Sequence, residues 1–170
     1  SMSYYDEKGY PTLAVIESLM TIINSNYEEW HRDNPEKSYL DFTYSPDKMS
    51  SSGALYDLVK LEDISKDIIS KMTKEEVYEE SYEWAKDYSE SLKQLIEKDV
   101  EYYKGILNIE REQAKPRKDI AKYSDIEDLI WYMYDEKFNP ETYEWGKVTD
   151  KEEIKNILNT YMEKHFIDNK

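Results

Sequence analysis

Residues 111–122, Arg-Glu-Gln-Ala-Lys-Pro-Arg-Lys-Asp-Ile-Ala-Lys, are the one basic island in a chain of 170 residues with formal charge −15. Five cations (Arg111, Lys115, Arg117, Lys118 and Lys122) stand there against two acids, Glu112 and Asp119. Two of the chain's three arginines fall in this stretch; the third is Arg32. Pro116 steers Lys115 away from the α region and fixes its own φ, so Arg117 is expected to project from a stiff turn between helices. A forked guanidinium on a rigid turn suits a planar polar edge, a nucleobase or a phosphate. The alternative for the same charge pattern is a solvated loop between two helices.

Little else in the chain is arranged for chemistry. The two histidines do not make a metal site by spacing: His31 reads as part of a polar turn, and His165 falls on the apolar face of the last helix. No carboxylate stands in an apolar context that would raise its pKa. There is no glycine-rich phosphate loop and no nucleophile elbow, so no catalytic residue and no metal ligand is expected. Seventeen tyrosines are many for this length. They could stack on unpaired bases, but their helical spacing favours half-buried core positions with wet hydroxyls.

Composition narrows the setting. The length allows one large domain or two small ones with a proper core. The absence of cysteine excludes a disulfide framework and agrees with a cytoplasmic protein. Apolar stretches are short and interrupted by charge, so no membrane partner is expected. The first residues resemble neither a signal nor a transit peptide, and Ser1 alone could be a cloning remnant. A sequence pI near 4.6 argues against non-specific nucleic-acid binding and against DNA as a partner. It does not veto a local RNA contact, because distant carboxylates are screened beyond about 8 Å at physiological salt.

The elements that must position the basic turn read as helices. Leu13, Ile16, Met20 and Ile23, widened by Leu19 and Ile22, predict one buried stripe, and Leu55, Leu58, Leu61, Ile64 and Ile68 a second. Residues 24–52 are polar and broken by Pro35 and Pro46, with room for a short strand over 39–44. Three capping boxes are expected: Thr73 with Glu76, Ser124 with Glu127, and Thr149 with Glu152. Between the first two boxes, residues 74–109 predict one or two more helices. Their inner faces are read as Tyr78, Tyr82 and Ala85, then Leu92, Leu95, Ile96 and Val100. Ile126, Leu129, Ile130, Met133 and Tyr134, and then Ile154, Ile157, Leu158, Tyr161, Met162 and His165, predict two further buried faces. The fold class is mainly α: a helical bundle with an irregular N-terminal part that could hold one or two short strands.

Residues 48–52, Lys-Met-Ser-Ser-Ser, resemble the lysine-containing ATP loop of class I aminoacyl-tRNA synthetases, Lys-Met-Ser-Lys-Ser. The second lysine, which would stabilise charge on the transferred phosphates, is missing, and no nucleotide-binding βαβ unit precedes the stretch. It is read as a polar loop feeding the next helix.

Ordered blocks along the whole chain carry a broader resemblance. They are Gly9-Tyr10-Pro11 leading into residues 14–30, Lys48-Met49-Ser50 through Gly53-Ala54-Leu55-Tyr56-Asp57-Leu58-Val59-Lys60-Leu61, and residues 65–78. Leu107-Asn108-Ile109-Glu110-Arg111 and Lys115-Pro116-Arg117-Lys118-Asp119-Ile120-Ala121-Lys122 complete the set. In this order the chain resembles the C-terminal half of bacterial glutamyl-tRNA synthetase, of the clostridial type. The resemblance implies a stem-contact region over residues 1–72 and the N-terminal part of a helical anticodon-binding region over 73–170. It implies an internal piece of the enzyme without the nucleotide-binding catalytic domain and without the final helical subdomain. ATP and Mg would serve the parent enzyme and not this chain. The implied partners are tRNA and the rest of the parent chain. Arg117 matches the family's anticodon-facing arginine at the Pro-Arg turn. Lys115, Lys118, Lys122 and Arg111 are then candidates for backbone phosphates. Where the wider family carries Trp-Met-Asn after Lys-Leu in its stem-contact helix, this chain has Asp63-Ile64-Ser65, leaving Ser65 and Lys66 as candidate phosphate contacts. The competing reading, from another class, is an acidic helical protein-interaction module whose basic turn docks an acidic partner.

Overall fold

A computed structural model describes residues 2–49, 57–138 and 150–165. The chain divides into two compact units, Ser1–Tyr132 and Met133–Lys170.

The first unit is built entirely from helices and turns among its described residues. Helix α1 (Met2–Lys8) ends where Gly9 adopts φ 78°. The Tyr10 amide reaches back to the Tyr5 carbonyl and the Gly9 amide to that of Asp6, both at 3.0 Å, the double bond that closes a left-handed helix terminus. The Tyr5 and Tyr10 rings meet edge-on at 6.2 Å beneath it. A Cβ on Gly9 would come within 3.0 Å of Trp84 Nε1 and Tyr123 Cβ, so glycine is required by space as well as by φ. The carbonyls left over at this helix end are all claimed. Trp84 Nε1 donates to Asp6 and Glu7, Ser124 Oγ to Lys8, and the Tyr123 amide to Gly9.

Helix α2 (Thr12–Ile23) packs against α4 (Leu58–Lys71) around Tyr10, Ala14, Val15 and Leu61. The face α2 buries is Ala14, Val15, Glu17 and Ser18, while Leu13, Leu19 and Ile23 are exposed. This corrects the expected stripe. Small residues, Ala14 and Ser18 on one helix and Ser65 on the other, are buried among the larger Val15, Leu61 and Ile69, and their size lets the backbones come close. On α4 the inner residues are Leu61, Ser65, Ile69 and Ser70, and Leu58 points outward. Between α2 and α4, α3 (Tyr27–Asp33) carries the fully buried Tyr27 ring, which meets Phe42 edge-on at 5.1 Å. The strand expected over 39–44 is instead a 3-10 turn, Tyr39–Asp41. There Ser38 and the Asp41 carboxylate cap each other's backbone amides, which competes with extended pairing. A single bridge, Asn24 with Met49, is the nearest thing to a sheet among the described residues.

Three helices, where one or two were expected, follow α4: α5 (Lys74–Tyr88), α6 (Glu90–Lys98) and α7 (Val100–Leu107). The Thr73–Glu76 capping box forms as expected. The breaks fall at Ser89 and Asp99, whose side chains accept from the Leu92 and Tyr102 amides and so restart the helix in a new direction. Val77, Ser81 and Ala85 form the inner face of α5. Tyr78 and Tyr82 stack on each other at 5.9 Å outside it, flanked by Lys104 and Lys86, because two phenols on one turn keep their hydroxyls wet. Ser124 does not cap with Glu127. Its hydroxyl is spent on Lys8, and α8 (Ile126–Ile130) starts from a 3-10 turn over Tyr123–Asp125.

In the second unit, α9 (Lys151–His165) is capped by Asp150, whose carboxylate accepts from the Glu152 and Glu153 amides. The Thr149 of the expected box lies outside the described residues. The face Ile157, Leu158, Tyr161 and Met162, read from sequence as buried, is exposed.

Candidate nucleic-acid interface

The basic turn grows out of the end of α7. Glu110 and Glu112 adopt φ 54° and 56°, left-handed conformations that cost non-glycine residues about 1 kcal/mol or more each. They reverse the chain twice around Arg111. The Arg117 amide then donates to the Glu110 carbonyl at 3.0 Å, closing the loop at its neck.

Arg111 points inward. Its Nε donates to the Leu107 carbonyl (2.8 Å), and Nη1 donates to those of Ile69 (2.6 Å) and Met72 (3.0 Å). One guanidinium thereby caps the C-termini of both α4 and α7, where orphan carbonyls and the negative end of each helix favour a cation. Burial lowers its pKa. A side chain so committed is a strut of the fold, not an exposed phosphate contact.

Arg117 is turned outward, its side chain 39% exposed. Its Nε donates to Asp119 Oδ2 at 2.6 Å, and Nη2 donates to the same oxygen. That carboxylate beside it raises its pKa. Lys118 pairs with Asp67 of α4 at 2.5 Å, and Lys71 meets the same carboxylate at 2.6 Å. Burial alone would raise Asp67, yet the two lysines hold it below the usual aspartate value. Lys122 lies 3.1 Å from both Glu62 and Asp125 and over the Tyr10 ring. The Lys122 bond holds Glu62 low, and burial, chiefly, pushes the Tyr10 phenol up to about 12. Lys115 is exposed at the rim of a groove of about 630 Å³. Met72, Gln113 and Pro116 line that groove together with the acids Asp67 and Glu112 and the cation Lys71.

The stem-contact candidates separate. Ser65 is fully buried and donates to the Ala121 carbonyl at 2.5 Å, so it tethers α4 to the turn and cannot touch a phosphate as placed. Lys66 is half-buried beside Glu62 and Lys122, on the rim of a smaller cavity. The structure thus brings Lys66, Lys115, Arg117, Lys118 and Lys122 to the surface around the turn and withdraws Arg111 and Ser65. Lys48 lies elsewhere, in a 3-10 turn, its carbonyl accepting from the Ser25 amide; Ser50–Ser52 lie outside the described residues.

Sequence reasoning missed the acids. Asp119 was visible two residues from Arg117, but Asp67 and Glu62 come from α4, far along the chain. It also missed Glu17. This carboxylate sits on the buried face of α2 with His31 Nε2 3.4 Å away, and burial pushes it up despite that neighbour. His31 belongs to α3 and not to a polar turn. The signal was the position of Glu17, between Ala14 and Ser18 on the small-residue face. Among the described residues no group of three or more histidine, aspartate or glutamate side chains is placed to hold a metal ion, and no helix is long and apolar enough to cross a membrane.

A helical chain with one oriented basic turn is similar to glutamate–tRNA ligases over a part of their length. It is 46% identical over 164 residues to the glutamate–tRNA ligase of Clostridium perfringens strain 13, and 43% identical over the same length to that of Clostridium beijerinckii. The ligase of Acetivibrio thermocellus is 42% identical over 162 residues. Each match covers 95% of this chain but 30% of the relative. The chain therefore corresponds to a segment of the C-terminal half of a glutamate–tRNA ligase. No family profile matches it, and no solved structure does.

Proposed function

We propose that this chain is the tRNA-binding portion of a glutamate–tRNA ligase, with residues 1–72 contacting the stem and 73–170 beginning the anticodon-binding region. In this reading the parent enzyme attaches glutamate to its tRNA with ATP and Mg, and the chemistry belongs to the part of the enzyme this chain lacks. The carrying observation is that ligases match 95% of this chain at up to 46% identity, with its one basic turn closed by the Arg117–Glu110 backbone bond and Arg117 facing outward. Lys115, Lys118, Lys122 and Lys66 take phosphates. Arg117 reads a base edge, since a guanidinium fork distinguishes acceptor pairs that a lysine does not.

The test is binding of a tRNA(Glu) transcript to this chain at low salt, beside a transcript of unrelated sequence. Affinity that falls as salt rises and favours tRNA(Glu) supports the reading. Equal affinity for both, or none, defeats it. ATP–pyrophosphate exchange with glutamate and tRNA should match the no-protein control, because no phosphate loop or reactive lysine pair is present.

A further inference from the structure

The way Arg117 is held carries more than its position. A guanidinium has two straight edges able to make paired hydrogen bonds. One is formed by Nε–H and an Nη2–H, the other by an Nη1–H and the second Nη2–H. Asp119 takes the first edge, through Nε and Nη2. Among the described residues the second edge makes no hydrogen bond, and it stands on an outward, partly exposed side chain. Both of its bonds meet one carboxylate oxygen, which narrows the swing of the guanidinium about its long stem and biases the remaining pair of donors toward one direction. Also near it are the Glu110 carboxylate and the exposed Tyr132 phenol, which favour its charge, and the Arg111 guanidinium, which opposes it.

We infer that Asp119 is a specificity-determining positioning residue. It orients the Arg117 guanidinium so that the N–H groups of its other edge donate to an RNA base presenting two adjacent acceptors, while the neighbouring lysines take phosphates. This inference rests on the tRNA-binding reading above. Asp119 touches no RNA in this account and acts only through Arg117. The arrangement also explains an acid at the centre of a basic turn. A carboxylate there weakens phosphate attraction, and in exchange it cuts the rotamer freedom that binding would otherwise have to remove. The Asp67–Lys118 pair shows the contrast. It also neutralises a cation of the turn, but a lysine has no second edge to present.

The experiment uses the whole 170-residue chain in two arms. In the first, nitrogen-15 NMR follows the arginine Nε–H signals, of which only three exist; Arg117→Gln assigns the relevant one. In the wild type it should be sharp and slow to exchange. It should broaden or vanish in Asp119→Ala and persist in Lys118→Ala. A fast-exchanging wild-type signal overturns the inference whatever the RNA does.

In the second arm, tRNA(Glu) and transcripts altered at each anticodon position are titrated at low salt. Asp119→Ala should reduce discrimination at one position by about tenfold while leaving affinity for the altered transcript equal or higher. Asp119→Glu should restore part of it. Asp119→Ala should cost no further discrimination in an Arg117→Gln background, because both changes remove one device. If Asp119→Ala instead raises affinity for every transcript by one factor, the carboxylate is only a repulsive charge and the inference is wrong. Loss that adds fully to that of Arg117→Gln also overturns it. If the wild type binds all transcripts alike with an ordered Nε–H, the tRNA reading itself falls and takes this inference with it. Thermal melts of each variant separate these outcomes from unfolding.

Discussion

The two limbs of the basic turn put the same residue type to opposite uses. On the inner limb, Arg111 stands between two left-handed residues and spends its guanidinium on three backbone carbonyls from the ends of α4 and α7. On the outer limb, six residues on, Arg117 is exposed, and its guanidinium is tied to Asp119. The difference teaches that a cluster of cations is not a surface until the backbone decides which of them face out. One limb builds the platform, and the other presents a donor edge from it.

Breaking the inner limb should have the largest effect. Arg111→Ala leaves three carbonyls without their charged donor and should cost about 2–3 kcal/mol of stability, read from urea or thermal unfolding. Arg111→Lys should recover little, since one ammonium cannot span carbonyls of two helices. If Arg111→Ala melts like the wild type and instead weakens RNA binding, the two limbs have been assigned the wrong way round.

Arg117→Gln should show the inverse pattern. Stability should stay within about 0.5 kcal/mol, while discrimination among anticodon-altered transcripts falls by about 1–3 kcal/mol at one position. A uniform loss over all transcripts would make Arg117 a phosphate clamp, the role proposed for its neighbours.

Ser65→Val belongs with the inner limb. It removes the donor to the buried Ala121 carbonyl and should cost about 1–2 kcal/mol without changing the salt dependence of RNA binding. A shallower salt slope would return Ser65 to the interface.

The smallest effect is expected at the tether between the limbs. Asp67 is held low by Lys118 and Lys71, so its pairing adds stability above the unfolded aspartate value of 3.8 and loses it as pH falls through the lower folded value. Asp67→Asn should therefore be less stable than the wild type at pH 7, by at most about 1 kcal/mol for so exposed a pair, with the gap closing below pH 3.8. The freed Lys118 should then bind RNA slightly better at pH 7. A gap that widens toward acid would reverse the sign of the argument.

Much of the fold was legible because its signals are local. The Thr73–Glu76 box, the Leu92–Ile96 face and the helix over Lys151–His165 all follow from residues within four positions of one another. Local signals failed where two local solutions compete. Ser89 and Asp99 break one apolar run into three helices, and Ser38 turns an expected strand into a 3-10 turn. They also failed on coverage. The periodicity of Ile157, Leu158, Tyr161 and Met162 marks one face of a helix but does not say what packs on it.

The sequence by itself determined that the chain is helical, that one turn is basic, that Arg117 stands on it behind a proline, and that its ordered blocks resemble those of a synthetase. Tertiary structure decided the rest. It turned Ala14 and Ser18 inward in place of Leu13 and Leu19, buried Glu17 beside His31, withdrew Arg111 and Ser65, and set Asp67 and Glu62 against the lysines of the turn. Lys118 and Asp67 are 51 positions apart, and Ser65 and Ala121 are 56. No periodicity within a helix encodes such pairs. They exist because small side chains let α2 and α4 come close and because Arg111 pins the turn to the end of α4, which brings carboxylates from one element under cations from another.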